Sequence, residues 1–357
     1  MNKACLIMGG VLAGLWASAL SATADFSVSG LGVLPYWRVG SGDSVQFDQA
    51  LNLSAGWTLS DRARVFVNLQ SGVGDGRLGF QGPAVVVTDV GLDYDLTATQ
   101  QLSLGSFDMP FGQEVERLTN NGSLGASGFV LNPLLYTALA GPAGTLNTVG
   151  VMLSQPFWGG DSRVFVSNGT GENAVNDDRQ LAYGFQWTAP VSGMVAGISA
   201  WQSHDRGDLG NTDATSIKAD MSAYLLDVQA HHHGVNYHGY LGQLWFGDGT
   251  DAADMVTVGM LGAETPCGAY TLRARVSFWM PEDNNGDASG ISSVMPDPSM
   301  GRALGDTPPL DRGIVRYQLG VSRALDAMIR VGVESFLDQV QHGEQAMGVL
   351  SYLSVEF

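Results

Sequence analysis

Polar and apolar side chains alternate with a period of two along most of this chain. The pattern is clearest where Leu51, Leu53, Ala55, Trp57 and Leu59 share one parity and Asn52, Ser54, Gly56, Thr58 and Ser60 the other. After Ser60-Asp61 the apolar parity resumes with Ala63, Val65, Val67 and Leu69. Arg62, Arg64, Asn68 and Gln70 stand opposite them, with Phe66 as an exception. Because strand side chains point alternately to the two faces of a sheet, this spacing predicts a hairpin with one apolar and one wettable face.

The same reading extends over Phe26 to Val39, Ala84 to Leu96, Gln101 to Asp108, Thr145 to Pro156, Asp161 to Ser167, Gln180 to Ala189 and Gly193 to Ser203. It continues over Lys218 to Ala230, Val235 to Phe246, Asp254 to Glu264, Gly268 to Met280, Arg312 to Leu325, Ala327 to Asp338 and Gln345 to Phe357. With the Leu51 hairpin this makes about sixteen strands, an even number such as closed bacterial barrels use. Short turns are expected near Ser60, Thr97, Trp158, Pro190, Thr265 and Asp326, with longer loops between them. The two largest loops run from about Met109 to Gly144 and from Pro281 to Asp311.

The termini carry the expectation about compartment. Lys3, an apolar stretch from Leu6 to Leu20 and Ala22-Thr23-Ala24 have the order of an export signal with a small-residue cleavage site. Residues 1–24 are therefore expected to be removed, leaving residues 25–357 as a single domain. At the other end, Met347, Val349, Leu353, Val355 and Phe357 occupy alternate positions up to a terminal aromatic, interrupted by Ser351. The fold class this predicts is all-β: a transmembrane antiparallel β-barrel of the bacterial outer membrane, with a long loop after the fifth strand. A soluble sandwich would alternate similarly, but at this length such chains usually divide into separate domains.

Composition removes several functions. The net charge of -18 argues against nucleic acid as a partner, since phosphate binding needs a basic surface. Cys5 precedes the apolar stretch of the signal, so Cys267 is the sole mature cysteine, too few for a disulfide or a cysteine metal site. The uncharged stretch from Leu118 to Gly160 is broken by Asn120, Asn121, Asn132, Pro133, Gly141 and Pro142, leaving no run of ~20 apolar residues that would span as a helix. Pro281-Glu282-Asp283-Asn284-Asn285-Gly286-Asp287 is rich in oxygen donors but lacks the glycine position and distant glutamate of a calcium-binding loop. His231-His232-His233 would face alternate sides of a strand, which suits a turn or lumen better than zinc. No metal, cofactor or catalytic set is assigned. Trp57, Tyr94, Trp187, Trp245 and Trp279 are read as interfacial aromatic girdles.

Leu104-Gly105-Ser106-Phe107-Asp108-Met109-Pro110-Phe111-Gly112-Gln113-Glu114 resembles Gram-negative porins, in which a strand ending in such a phrase feeds a long loop. Val164-Phe165-Val166-Ser167-Asn168-Gly169-Thr170-Gly171 is similar to the Asn-Gly loop start of several porin families. The resemblance implies a water-filled channel for small hydrophilic solutes or ions, narrowed by the loop after the fifth strand folding inward. It implies acidic constriction residues at Asp108, Glu114 and Glu116, with Arg117 beside them, facing a basic wall drawn from Arg62, Arg64, Arg273, Arg275, Arg316 and Arg330. Its partners would be outer-membrane lipid and lipopolysaccharide, with a homotrimer as the assembly to test. Two other barrel functions remain open. An outer-membrane hydrolase of the phospholipase or deacylase type would need a histidine where Phe165 stands ahead of Ser167-Asn168-Gly169. A non-conducting barrel that anchors or sheathes a protein partner would use the apolar Leu124 to Ala143 loop.

Overall fold

The structure, a computed structural model, describes residues 26–40, 45–73, 85–113, 147–168, 181–203, 220–247, 253–282, 313–341 and 345–356. The expected signal and most of the two large loops lie outside them.

The first half of the wall consists of β1 (Phe26–Gly40), β2 (Val45–Ser60), β3 (Ala63–Val73), β4 (Val85–Thr97), β5 (Gln100–Asp108), β6 (Asn147–Phe157), β7 (Gly160–Ser167) and β8 (Ala182–Val191). The second half consists of β9 (Met194–Ser203), β10 (Asp220–His232), β11 (Val235–Gly247), β12 (Ala253–Cys267), β13 (Tyr270–Glu282), β14 (Ile314–Ala324), β15 (Ile329–Val340) and β16 (Gln345–Glu356). Every strand pairs antiparallel with its sequence neighbours, and β1 pairs with β16 from Leu31↔Glu356 to Gly40↔Gly348, so the sheet closes on itself. Closure leaves no unpaired edge, which is the condition for a sheet to cross lipid.

Alternation sorts the two faces. On β13, Arg273, Arg275, Ser277 and Trp279 are buried while Leu272, Ala274, Val276 and Met280 are exposed. On β14, Ile314, Arg316, Gln318 and Ser322 are buried against exposed Tyr317, Leu319 and Val321. The exposed set also includes Leu226, Leu241, Leu261 and Val333, all on the outer parity of their strands. Leaving such side chains in water would forfeit about 1.5–3 kcal/mol for each Leu or Val, so the outside is built for an apolar solvent.

Alternate connections are short. Trp158-Gly159, Ser192-Gly193 and His233-Gly234 each place two successive residues at positive φ, 48° and 73°, 50° and 83°, and 49° and 78°. These are the angles of two-residue hairpin turns whose twist matches the strands. His233 is thus a turn residue, and the triple-histidine run bends β10 into β11. Phe66, the apparent exception in β3, keeps the inward parity: its ring lies over Gly91 of β4, where a Cβ would come within 2.4 Å of its Cζ. Trp57, Trp187 and Trp245 hold the outward parity, the last edge-on to exposed Tyr224 with centroids 5.3 Å apart. Trp279 corrects the girdle reading: it faces inward and is fully buried.

Candidate functional site

The site is the interior of the cylinder, and the chain itself enters it. Beyond β5, Met109 and Phe111 are 2% and 1% exposed. Phe111 packs edge-on to Trp201 of β9 with centroids 6.3 Å apart. The amide of Gly112 donates to Ser199 Oγ of β9 at 2.9 Å, and the Gln113 side-chain amide donates to Asp227 of β10. Gly112 has φ of 80° and leaves no space for a Cβ against Leu225 of β10. The segment therefore leaves the wall at β5 and docks four and five strands away, inside the lumen.

Around that docking point the interior is apolar. Trp201, Ala223, Leu225, Tyr240, Leu244, Val256, Val258, Met260, Trp279, Ile314 and Val340 form one buried cluster with Phe107, Met109, Phe111 and Phe165. All but four of these come from β9 to β15, and they gather toward the ends of those strands that lead into the long connections. Apart from Phe107, which also borders the cavity described below, these side chains are withdrawn from solvent.

Along the same strands, from Arg316 and Asp338 beside the apolar cluster to Arg273 and Arg330 toward the short turns, the interior is charged and hydrogen-bonded. Arg273 Nε donates to Glu264 Oε2 at 2.8 Å, across the register Glu264↔Arg273, and its Nη1 reaches Ser322 Oγ at 2.9 Å. Arg316 and Asp338, opposite one another on β14 and β15, join through two bonds of 2.7 Å, Nε to Oδ1 and Nη2 to Oδ2. Arg275 Nε donates to Gln318 Oε1 at 2.7 Å, and half-buried Arg330 reaches Ser322 Oγ at 3.4 Å. Such a fork geometry fixes the guanidinium and neutralises it at once.

The opposite wall differs. A cavity of about 590 Å³ opens between the short-turn ends of β3 to β8, lined by Asp89, Asp93, Asp95, Asp161 and Arg163 together with amides, hydroxyls and a few apolar side chains. Asp93 accepts from Ser103 Oγ at 2.6 Å, Asp95 from Gln101 Nε2 at 3.3 Å, and Asp89 from Asn68 Nδ2 and Ser106 Oγ, both at 2.9 Å. The donors holding Asp93 and Asp95 are neutral, so the carboxylate charge is oriented there rather than cancelled.

The residues expected to form a constriction are dispersed. Asp108 is the last residue of β5, opposite Asn147 in the register, while Glu114, Glu116 and Arg117 lie outside the described residues. Arg62 sits in the exposed turn before β3, and exposed Arg64 stands opposite Asp93 on the β3–β4 ladder, beside the carboxylates rather than across from them. Only Arg273, Arg275, Arg316 and Arg330 share one wall. The carboxylates of β4 and β7 were not singled out from sequence. Their signal was legible, since Asp89, Asp93 and Asp95 share the parity of Gly91 and oppose outward Val90, Leu92 and Tyr94. Ser167 is buried on β7 with Gly150 and Ala182 as its ladder partners, neither of which supplies a base. Among the described residues no group of three or more His, Cys, Asp or Glu side chains is placed to hold a metal.

No family model and no curated protein matches this sequence. Solved structures do match. An anion-selective porin from Comamonas acidovorans superimposes with a TM-score of 0.62 over 94% of this chain and 100% of its own, at 13% identity. The fold is the porin fold. The outer membrane channel DcaP of Acinetobacter baumannii gives a TM-score of 0.60 over 94% of this chain and 98% of its own, at 10% identity. OmpT, an outer membrane protein of Vibrio cholerae in its trimer form, gives 0.61 over 94% and 99%, at 11% identity. At these identities the likeness to porins concerns the backbone, and the chemistry of the lumen rests on the side chains described above.

Proposed function

We propose that this chain is an outer-membrane porin, a passive channel for small hydrophilic solutes and ions with a preference for cations, and that it performs no chemical turnover. The observation that carries this reading is a closed sixteen-strand wall, apolar outside, enclosing a cavity in which four carboxylates face one guanidinium. A fixed excess of one charge sign in a narrow aqueous passage raises the local concentration of the opposite ion and biases flux. The apolar exterior is suited to acyl chains, and carboxylates between the strands in the sequence, among them Asp248, Asp251 and Asp297, are suited to divalent cations at a lipopolysaccharide surface. A homotrimer agrees with the trimer form of a structural neighbour.

The test is single-channel recording in planar bilayers with folded protein. Discrete conductance steps and a reversal potential on the cation side of zero in a potassium chloride gradient are expected. Folded protein that leaves the bilayer silent would remove the pore reading, and an anion-side reversal potential would remove the preference. Neutralising Glu114 and Glu116 should move the reversal potential toward zero if the docked loop contributes to the filter.

A further inference from the structure

The interior charges of the two walls are held differently. On β12 to β15, Arg273 is matched by Glu264 and Arg316 by Asp338 at hydrogen-bond distance, while Arg275 and Arg330 bond to Gln318 and Ser322. In the cavity between β3 and β8, the lining carries Asp89, Asp93, Asp95 and Asp161 with Arg163, and Arg64 stands beside it opposite Asp93, so carboxylates outnumber guanidinium groups there. Asp93 and Asp95 are fixed there by a hydroxyl and an amide.

A second feature of the cavity is independent of its charge. Phe66, Phe107 and Met152 line it as well, on β3, β5 and β6, beside the polar groups. Phe107 is held edge-on by Phe165 with centroids 6.1 Å apart, so its ring has a fixed direction. Gln100 and Gln155 bridge the rim at 3.2 Å. Fixed carboxylates beside aromatic and thioether surface are complementary to an ammonium group on a compact apolar body: the carboxylates accept its N–H bonds while the rings take up its hydrocarbon and, at close range, its charge. The volume of about 590 Å³ suits a small organic molecule.

Building on the pore reading, we propose that this cavity is a subsite for small organic ammonium ions, with Asp93, Asp95 and Asp161 meeting the charge and Phe66, Phe107 and Met152 the apolar body. A hydrated inorganic cation would use the carboxylates alone.

The test compares 2-phenylethylammonium with 2-phenylethanol, which keeps the apolar body and lacks the charge. Calorimetry on the full chain folded in detergent should show the ammonium binding at least about tenfold more tightly, the product of two partly screened ion pairs. The D93N/D95N variant should lose that margin, and Asp161→Asn, at the exposed rim, should lose roughly a few-fold. Heat-modifiable mobility on gels checks that each barrel is folded, and the single D161N substitution carries the test should the double variant fail to fold. Equal affinity for amine and alcohol, or ammonium affinity unchanged in folded D93N/D95N, overturns the subsite. In bilayers, millimolar 2-phenylethylammonium should lower potassium conductance more than the alcohol does. Binding without any channel activity would leave the subsite standing and remove the pore reading. Conductance without binding would do the reverse.

Discussion

The two sides of this lumen are built from the same alternating strands and reach opposite chemistries. At the long-connection end of β9 to β15, inward positions hold Trp201, Leu225, Leu244, Val256, Val258, Trp279 and Ile314, out of contact with water. At the short-turn end of β3 to β8, inward positions hold Asn68, Asp93, Asp95, Ser154, Gln186 and Thr188 around open space. Position relative to the wall therefore does not decide polarity. What decides it is whether the facing volume is filled by protein, as Phe111 and Gly112 fill it against β9 and β10, or left to solvent.

The buried ion pair beside the apolar cluster, two residues from Ile314 and Val340, should give the largest effect. Asp338→Ala leaves Arg316 buried without its fork partner, and breaking such a pair costs about 3–5 kcal/mol. Urea-dependent unfolding of the detergent- or lipid-folded barrel should show that loss. The double change R316M/D338L should recover most of it, because neither desolvated charge then remains. If D338A unfolds like the parent, the Arg316 side of the lumen is wetter than its burial indicates.

A reciprocal pair tests the contrast directly. Val258→Thr places a hydroxyl among Val256, Met260 and Trp279, where an unpartnered polar group costs about 1–3 kcal/mol. Ser154→Val removes a hydroxyl from the open cavity and should stay within about 0.5 kcal/mol, as substitutions away from packed features do. Equal costs for the two would mean that the halves do not differ in solvent access.

Much of this architecture was legible in the sequence, and the misses have separate causes. Alternation marked all sixteen strands because lipid and the lumen differ chemically over most of the wall. It put Arg273, Arg275 and Arg316 on the inner face through their outward neighbours Leu272, Ala274, Val276 and Tyr317. Where the interior is dry, both faces are apolar and parity carries no sign. Met255-Val256-Thr257-Val258-Gly259-Met260-Leu261 is such a stretch, whereas Trp279 was assigned to an outer girdle on residue type although it shares the inward parity of Arg273, Arg275 and Ser277. The histidine run was left between a turn and the lumen, and the positive φ of His233 and Gly234 decides for the turn, a region histidine tolerates better than most residues. The constriction residues were carried by resemblance, and the pairing of Arg316 with Asp338 and of Arg273 with Glu264 required a register that residue type alone does not give.

Gly112 offers a sharper handle on the filled half. Its φ of 80° disfavours an L side chain by about 1–2 kcal/mol. An added Cβ would also meet Leu225 Cδ2 at 2.4 Å. Gly112→Ala should loosen the docked segment without disturbing the wall ladder, since its neighbours Phe111 and Gln113 lie outside the strands. Acrylamide quenching isolates the effect: in a Trp201→Phe background, the quenching lost from the parent reports Trp201, and G112A should raise that contribution. Unchanged quenching would mean that Phe111 does not depend on Gly112 for its position.

A small expected effect on the outer surface checks that the inside contrast is not a general property of the barrel. Trp187 Nε1 donates to the carbonyl of Phe157 at 2.8 Å near the β6–β7 turn. Trp187→Phe keeps an aromatic ring at the boundary and removes only this bond, worth about 0.5–1.5 kcal/mol in net stability. Because Trp187 points away from the cavity that its neighbours Gln186 and Thr188 line, conductance and ion preference should be unchanged while the unfolding midpoint falls slightly. A shift in reversal potential on this substitution would show that the outer ring and the inner filter are coupled through β8, and the dry and wet halves would then have to be treated as one deformable wall.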